Sequence, residues 1–188
     1  MAELFRRLGA YARSDDPLAA ASNAVALIVA CNQPFYPLYI RWLVGDDHGA
    51  SLVTFLSTPF FLAVPAVARL SSLAGRAMLP IVGIVNTLAS ARFLGAASGA
   101  ELFLFPCAMI AGMSLRASER GAMLGILGLA LAGFALFHDA AMAASSLFSA
   151  DAYAHFLSLN VWSVAGLTAF VALRYVSALA ASPGRRQG

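Results

Sequence analysis

The sequence predicts an all-α, polytopic membrane protein, a bundle of about six transmembrane helices. Three observations indicate this class. Of the 188 residues, 61% are apolar and 11% are charged, whereas soluble domains carry about 25% charged residues. Apolar stretches recur along the whole chain at lengths typical of membrane helices. The arginines concentrate in alternate connections between those stretches, as cytoplasmic positive charges do in membrane proteins.

The first predicted element, residues 1–16, is a short amphipathic helix that lies on the membrane surface. Apolar and basic side chains fall on opposite faces of this helix: Leu4, Phe5 and Leu8 against Arg6 and Arg7. Such helices direct their arginines toward anionic headgroups. Asp15 or Asp16, followed by Pro17, is typical of an N-cap with proline in the first turn. The predicted bundle therefore begins at residue 17.

The bundle is predicted over residues 17–180, with a polar cytoplasmic tail at 181–188. Six apolar stretches are assigned to it: 18–44, 51–68, 77–94, 100–115, 122–137 and 154–179. Because a crossing needs about 20 helical residues, the first and last stretches are long, and the fourth and fifth are short enough to tilt or to cross only in part.

The arginines predict the orientation. Ten fall on the side of the N-terminus: Arg6, Arg7, Arg13, Arg69, Arg76, Arg116, Arg120, Arg174, Arg185 and Arg186. The opposite side has Arg41 and Arg92. Since positive charge stays in the cytoplasm, we expect both termini inside, an even number of crossings and a multi-pass protein of the bacterial inner membrane.

The predicted connections differ in length. Residues 69–76 and 116–121 form short inner connections, which favour antiparallel neighbours, and Glu119 in the second is interpreted as part of a solvated turn. The longest connection, 138–153, lies outside and is the candidate for a cap or a partner-facing loop.

The first stretch contains an unusual polar and proline-rich run that includes Asn32, Gln33, Pro34, Tyr36 and Pro37. Prolines cannot donate backbone hydrogen bonds, and amides are costly in lipid unless paired. We expect a kink or an unwound turn that faces the bundle interior. It is interpreted either as a ligand or ion site, or as a kink that neighbouring helices satisfy.

In the interpretation of the proline-rich run as a ligand or ion site, polar residues in other stretches complete that site. Asn86 and Thr87 in the third stretch and Asn160 in the sixth either line a small polar pocket with the proline-rich run or form ordinary interhelical pairs.

The three histidines, His48, His138 and His155, fall on the predicted outer side near several carboxylates. Imidazole and carboxylate are ligands of zinc, copper and iron, and imidazole is a haem ligand. An external metal or haem site is one hypothesis, and polar residues at a membrane boundary are the other. No cofactor is otherwise indicated, and the absence of lysine excludes Schiff-base chemistry.

The run from Gly95 to Pro106, GAASGAELFLFP, is followed one crossing later by Arg116 and by Glu119 with Arg120. This pattern resembles the six-helix membrane input regions of bacterial histidine kinases and nucleotide cyclases. The resemblance implies a sensory module with Glu101 near the outer end of a ligand pocket. Such regions precede a cytoplasmic catalytic domain, whereas this sequence ends after the sixth stretch, so we expect a separate signalling partner.

These observations favour a non-enzymatic membrane module that binds a small or lipidic ligand and acts through a partner protein in the membrane or at its cytoplasmic face. No hydrolase or phosphate-loop motif is found. The scattered net charge of +3 argues against nucleic acid as a partner. One alternative is an accessory or assembly subunit of a larger complex, in which small residues such as Gly125, Gly128 and Gly133 pack against other chains. Another is a small transporter with its site at the proline-rich run. A second copy of this chain, in a homo-oligomer, is a further candidate partner.

Overall fold

The computed structural model describes residues 2–44, 49–143 and 148–181, and every regular element within them is helical. The α-helices are α1 (Ala2–Ala12), α2 (Pro17–Asn32), α3 (Phe35–Val44), α4 (Thr58–Leu70), α5 (Ser72–Leu94), α6 (Leu104–Ser114), α7 (Arg120–Ala143) and α8 (Ala150–Ala181). Segments of 3₁₀-helix precede three of them: a long one at Gly49–Ser57 before α4, and short ones at Ala96–Ser98 and Ala100–Phe103 before α6 and at Ala117–Glu119 before α7.

Five segments are long and apolar enough to cross a membrane. They are Pro17–Trp42, Ser51–Leu70, Ser72–Leu94, Ala117–Ala143 and Ala150–Ala180. The segment Ala100–Ser114 is apolar but shorter. The prediction of an all-α membrane protein is confirmed at this level.

The N-terminal helix ends just before the cap of α2. The Asp16 carboxylate accepts a hydrogen bond from the Leu18 backbone N–H at 3.0 Å, which makes Asp16 the N-cap and confirms the prediction for this residue. Tyr11 near the end of α1 donates its hydroxyl proton to the Leu62 carbonyl at 2.9 Å. The guanidinium of Arg69 lies 4.9 Å from the centre of the Tyr11 ring. Helix α1 is therefore tied to α4.

The first apolar stretch is broken where the sequence predicted. Helix α2 ends at Asn32 and α3 begins at Phe35, with Gln33 and Pro34 in the turn between them. Pro34 has no N–H to donate to the carbonyl four residues earlier. The predicted kink is confirmed, although Asn32 and Pro34 are exposed and Gln33 is buried.

The connection between α4 and α5 is shorter than the sequence predicted. Only Ser71 separates the helices, in an extended conformation with its hydroxyl capping α5 at the Ala74 N–H. Residues 69–76 therefore do not form a loop, and Arg76 lies inside α5. The corner is tight enough that a Cβ atom on Gly75 would lie 2.5 Å from the Ala68 Cβ.

Two further predicted boundaries are wrong. Helix α7 continues to Ala143 and α8 starts at Ala150, so most of the predicted outer loop at 138–153 is helical. The fifth stretch is thus one of the long ones. The polar residues His138 and Asp139 do not end α7, because the backbone hydrogen bonds within the helix continue past them. The His138 side chain also has a partner, the carboxylate of Glu101.

Helix α5 lies at the centre of the bundle and packs against α2, α4, α6 and α7. The main core cluster includes Val25 of α2, Val64 of α4, Leu79 of α5, Ile110 of α6 and Val171 of α8. Large apolar side chains on α7 and α8 remain exposed in the isolated chain, as expected for helices that face lipid.

Candidate functional site

The turn between α2 and α3 is held in place by hydrogen bonds to the 3₁₀ segment Gly49–Ser57 and to the first residue of α4. Gln33 is 6% exposed, and its amide nitrogen donates to the Thr54 carbonyl at 2.9 Å and to the Ser57 hydroxyl. Thr58 donates to the Gln33 amide oxygen. Both ends of this buried amide are therefore paired, which lowers the cost of placing it among apolar side chains.

The same chain of hydrogen bonds reaches the central helix. The Ser57 hydroxyl lies 2.8 Å from the Asn86 amide oxygen, to which it donates. Gln33, Ser57 and Asn86 thus connect the α2–α3 break, the N-terminus of α4 and the middle of α5. The 3₁₀ segment Gly49–Ser57 supplies the Thr54 and Ser57 contacts, and a long 3₁₀ run of this kind is uncommon outside strained or hinge regions.

A cavity of about 380 Å³ lies beside this hydrogen-bonded chain, among α2, α5, α6 and α8. Its polar lining includes Asn32, Gln33, Tyr36, Asn86 and Ser90, and its apolar lining includes Phe61, Leu79, Ile110, Leu167 and Phe170. Among the described residues that line it, none is charged. The volume falls within the range typical of small-molecule pockets, which are mostly apolar with a few polar groups.

Ser90 lines the cavity and has a buried hydroxyl without a hydrogen-bond partner among the described residues. Its side chain is 6% exposed. A buried hydroxyl without a partner costs about 1–3 kcal/mol. The hydroxyl oxygen has less than 1 Å² of accessible surface, so it must rotate toward the cavity before a ligand can pair with it and recover that energy.

The structure brings together several of the residues predicted for a ligand site. Asn32, Gln33, Tyr36, Asn86 and Thr87 all line the cavity. Pro34 lies in the exposed turn and not on the cavity wall.

Asn160 lies next to the cavity rather than in its wall. It is fully buried, and its amide nitrogen donates to the Ser98 carbonyl at 2.9 Å. Its side chain also lies close to the Tyr36 hydroxyl. Asn160 therefore supports a lining residue from behind.

Glu101, which the family resemblance puts near the outer end of a pocket, is not itself in the cavity wall, although Ala100 and Phe103 of the same 3₁₀ segment are. Its carboxylate contacts His138. The His138 Nδ1 atom is 3.0 Å and 3.2 Å from the two carboxylate oxygens of Glu101. This contact joins α7 to the 3₁₀ segment that precedes α6.

The three histidines are not brought together by the described parts of the chain. His138 pairs with Glu101, and the His155 Nδ1 atom lies 2.9 Å from the Asp151 carbonyl oxygen within α8. His48 lies outside the described residues. Within the described ranges, no three histidine, cysteine or acidic side chains meet in a way that could hold a metal ion. The metal and haem hypothesis stays a prediction.

Sequence reasoning missed a buried ionic cluster at the end of the bundle where α2 and α5 begin. Arg76 is fully buried and binds Glu119 through both of its terminal nitrogens, at 2.7 Å and 2.6 Å. Its Nη1 also donates to the Ser114 carbonyl at 2.6 Å. Glu119 was interpreted as solvated, but its side chain is 16% exposed, so that interpretation is wrong.

Asp16 and Arg116 complete the ionic cluster. An Arg116 terminal nitrogen lies 2.8 Å from an Asp16 carboxylate oxygen, to which Ser72 also donates. Two arginines and two carboxylates therefore balance one another. The sequence did contain a signal for this cluster. Two acidic residues, Asp16 and Glu119, lie close to the predicted inner ends of helices, and so do two arginines, Arg76 and Arg116.

The partners of Asp16 shift its pKa. Burial alone would raise the pKa of this carboxyl, but hydrogen bonds from Ser72 and Arg116 and the positive charge of Arg116 lower it below the ordinary value of 3.8. Asp16 is therefore negatively charged at neutral pH, where it serves both as the cap of α2 and as a member of the ionic cluster.

Comparison with family models, curated proteins and solved structures gives no match to this chain. The functional argument therefore depends on the residues and their geometry.

Proposed function

We propose that this protein is a non-enzymatic membrane module that binds a small or lipidic ligand in the cavity among α2, α5, α6 and α8. The observation that carries this proposal is the cavity itself, about 380 Å³ with mostly apolar walls and a polar side formed at a helix break. The cavity is open on one side, since some of its lining residues are exposed, and mostly apolar pockets of this size with a few polar groups are typical of small-molecule sites.

The break between α2 and α3 gives ligand binding a route to a conformational change. Gln33 lies in the cavity wall and also holds the 3₁₀ start of the second apolar stretch through Thr54 and Ser57. A ligand that displaces Gln33 from these contacts alters the angle between α2 and α3. In this proposal, a separate partner protein in the membrane or at the cytoplasmic face reads that change, as in a sensor.

The membrane arrangement that supports this role has six crossings, with both termini in the cytoplasm of a bacterium and the bundle in its inner membrane. In this proposal the fourth crossing is Ala100–Ser114, which is apolar but shorter than the five long segments. The distribution of arginines supports the orientation. The ionic cluster of Asp16, Arg76, Arg116 and Glu119 then lies at the inner end of the bundle.

Purification in mild detergent, followed by mass spectrometry of small molecules extracted from the protein, tests the proposal. The variant Ser90→Leu fills part of the cavity and removes its unused hydroxyl. The matched control is Ser177→Leu, because Ser177 is exposed on α8 and bonds its own helix at the Leu173 carbonyl. A ligand retained by the wild type and by Ser177→Leu, and lost from Ser90→Leu, supports the proposal. A wild-type protein that retains no ligand in repeated preparations contradicts it.

A second candidate function, an accessory subunit of a larger membrane complex, is favoured by one face of α7. A Cβ atom added at Gly121, Gly125 or Gly128 would meet nothing within 4 Å. The four-residue spacing of the first two is typical of close helix packing in membranes. Gly133 differs, because it packs against Leu88 within the chain. Stoichiometric subunits that co-purify with the wild type and are lost from Gly125→Leu would favour this function over ligand binding.

A further inference from the structure

The residues that line the cavity show where it opens. Three of them are exposed, namely Ile28, Asn32 and Gly166. The first two belong to α2 and the third to α8, so the opening lies between these two helices. A Cβ atom on Gly166 would meet nothing within 4 Å, which means that the space in front of this residue is free.

The depth of this opening along the helices decides what it faces. Gly166 lies about midway along α8 (Ala150–Ala181), which places it roughly 23 Å from either end of that helix at 1.5 Å per residue. Ile28 likewise lies near the middle of the apolar segment Pro17–Trp42. Since the hydrocarbon layer is about 30 Å thick, an opening at this depth faces lipid chains and not water.

The residues of the cavity wall suit a cavity that opens to lipid chains. None of the described lining residues is charged, so a charged ligand would lose its hydration without gaining a counter-ion. The Ser90 hydroxyl is buried and has no partner, and it can either donate or accept a hydrogen bond. Phe61, Leu79 and Ile110 supply apolar contact on the same cavity.

From these observations we infer that the cavity opens sideways into the hydrocarbon layer through a portal between α2 and α8, and that its ligand is an uncharged amphiphile dissolved in the membrane, whose one hydrogen-bonding group pairs with Ser90. The portal is defined by Ile28, Asn32 and Gly166. This inference rests on the proposed function and narrows it to one class of ligand and one route of access.

The test uses the full chain in phosphatidylcholine liposomes and a pair of photoreactive probes. One probe is an uncharged long-chain alkanol that carries a diazirine next to the hydroxyl-bearing carbon, and the other has the same chain and diazirine with a sulfonate in place of the hydroxyl. After brief illumination, mass spectrometry locates the labelled residues. We expect the alkanol to label cavity residues such as Ile110 and Phe170, and the sulfonate to label only the ends of the helices.

Two leucine variants separate the portal from a general effect of added bulk. Gly166→Leu places a side chain in the portal, whereas Gly112→Leu places the same side chain in free space on α6, outside the cavity wall. We expect Gly166→Leu to slow labelling of the cavity by the alkanol about tenfold or more, the equivalent of roughly 1.4 kcal/mol, and Gly112→Leu to leave it unchanged. Ser90→Ala, which removes the hydrogen bond but opens no path, should weaken alkanol labelling about five- to tenfold.

The outcomes that overturn the inference differ from those that overturn the proposed function. Equal labelling of Gly166→Leu and the wild type, or labelling of the cavity by the sulfonate probe, removes the lateral portal but leaves a ligand-binding cavity. A charged molecule extracted from the purified protein and lost in Ser90→Leu has the same meaning. A cavity that neither probe labels, in a protein that retains no extracted molecule, contradicts both. Should Gly166→Leu fail to fold, Ile28→Trp narrows the portal from the opposite helix.

Discussion

The guanidinium of Arg76 binds both carboxylate oxygens of Glu119, with Nη2 2.6 Å from Oε1 and Nη1 2.7 Å from Oε2. This two-point contact joins the start of α5 to the 3₁₀ turn that precedes α7. Arg76 is 1% exposed at its side chain, so each member of the pair depends on the other to compensate its loss of water.

Removal of one member of this pair should destabilise the protein strongly. We expect Arg76→Leu or Glu119→Leu to lower the free energy of unfolding by about 3 kcal/mol, because the remaining charge loses its two-point contact. It keeps only a longer ion pair, from Arg76 to Asp16 at 3.5 Å or from Glu119 to Arg116 at 3.6 Å. Thermal unfolding in detergent measures the effect.

The double variant Arg76→Leu with Glu119→Leu tests the cause. It should lose less stability than the two single losses added together, since no uncompensated charge remains. The exposed neighbour Arg120 provides the control, and Arg120→Leu should change stability by less than about 0.5 kcal/mol. Strict additivity in the double variant would contradict direct pairing.

Asp16 should make stability fall in acid. Because the pKa of Asp16 in the folded protein lies below its ordinary value of 3.8, its contribution is present in full above that value and is lost as the pH falls through the folded pKa. Asp16→Asn should therefore be less stable than the wild type at pH 7, and the difference should shrink below about pH 4.

Unfolding midpoints measured across this acid range for Asp16→Asn and Asp15→Asn check that expectation. Asp15 is the exposed neighbour and serves as the control, so its variant should follow the wild-type curve. A constant difference between Asp16→Asn and the wild type across the range would show that the ionised form of Asp16 is not what stabilises the fold.

Gly75 should be required for the corner between α4 and α5. A Cβ atom at this position would lie 2.6 Å from the Ala68 Cα and 2.8 Å from the Ala68 backbone nitrogen, and backbone atoms cannot move aside as a side chain can. We expect Gly75→Ala to lower stability by about 1–3 kcal/mol. In Gly112→Ala, where the added carbon meets nothing within 4 Å, helix propensity should instead stabilise by up to about 1 kcal/mol. Thermal unfolding of both variants decides between these signs.

The two prolines near the break should control ligand binding. With Pro34→Ala and Pro37→Ala together, the backbone can continue from α2 into α3, which carries Gln33 away from Thr54 and Ser57. We expect slower hydrogen exchange at residues 33–37 and less retained ligand. Pro59→Ala is the control, because Pro59 lies in the first turn of α4, where no backbone donor is needed. Unchanged exchange and unchanged ligand content in the double variant would remove this segment from the mechanism.

Local patterns in the sequence predicted much of the fold. Apolar composition and stretch length predicted membrane helices because the free energy of transfer to lipid depends on the residues of one segment. The cap at Asp16 and the break at Gln33 and Pro34 were predicted for a similar reason. Each depends on hydrogen bonds between residues a few positions apart.

Boundaries were less predictable where a polar residue found a distant partner. Arg76 looked like a loop residue because an arginine at the end of an apolar stretch has the same pattern whether it faces water or a carboxylate. His138 had the pattern of a residue that starts a loop, but in the structure its imidazole pairs with the carboxylate of Glu101. In both cases the partner lies more than thirty positions away in the sequence.

The sequence by itself determined that this is a helical protein with segments suited to a lipid bilayer, and it determined where the first apolar stretch is broken. Only the tertiary structure decided that Asn32, Gln33, Tyr36 and Asn86 share one cavity, and that Asn160 stands behind it. It also decided that Ser90 keeps an unpaired hydroxyl there. The physical reason is that a cavity is a property of how several helices fail to fill space together, and no single segment contains that information.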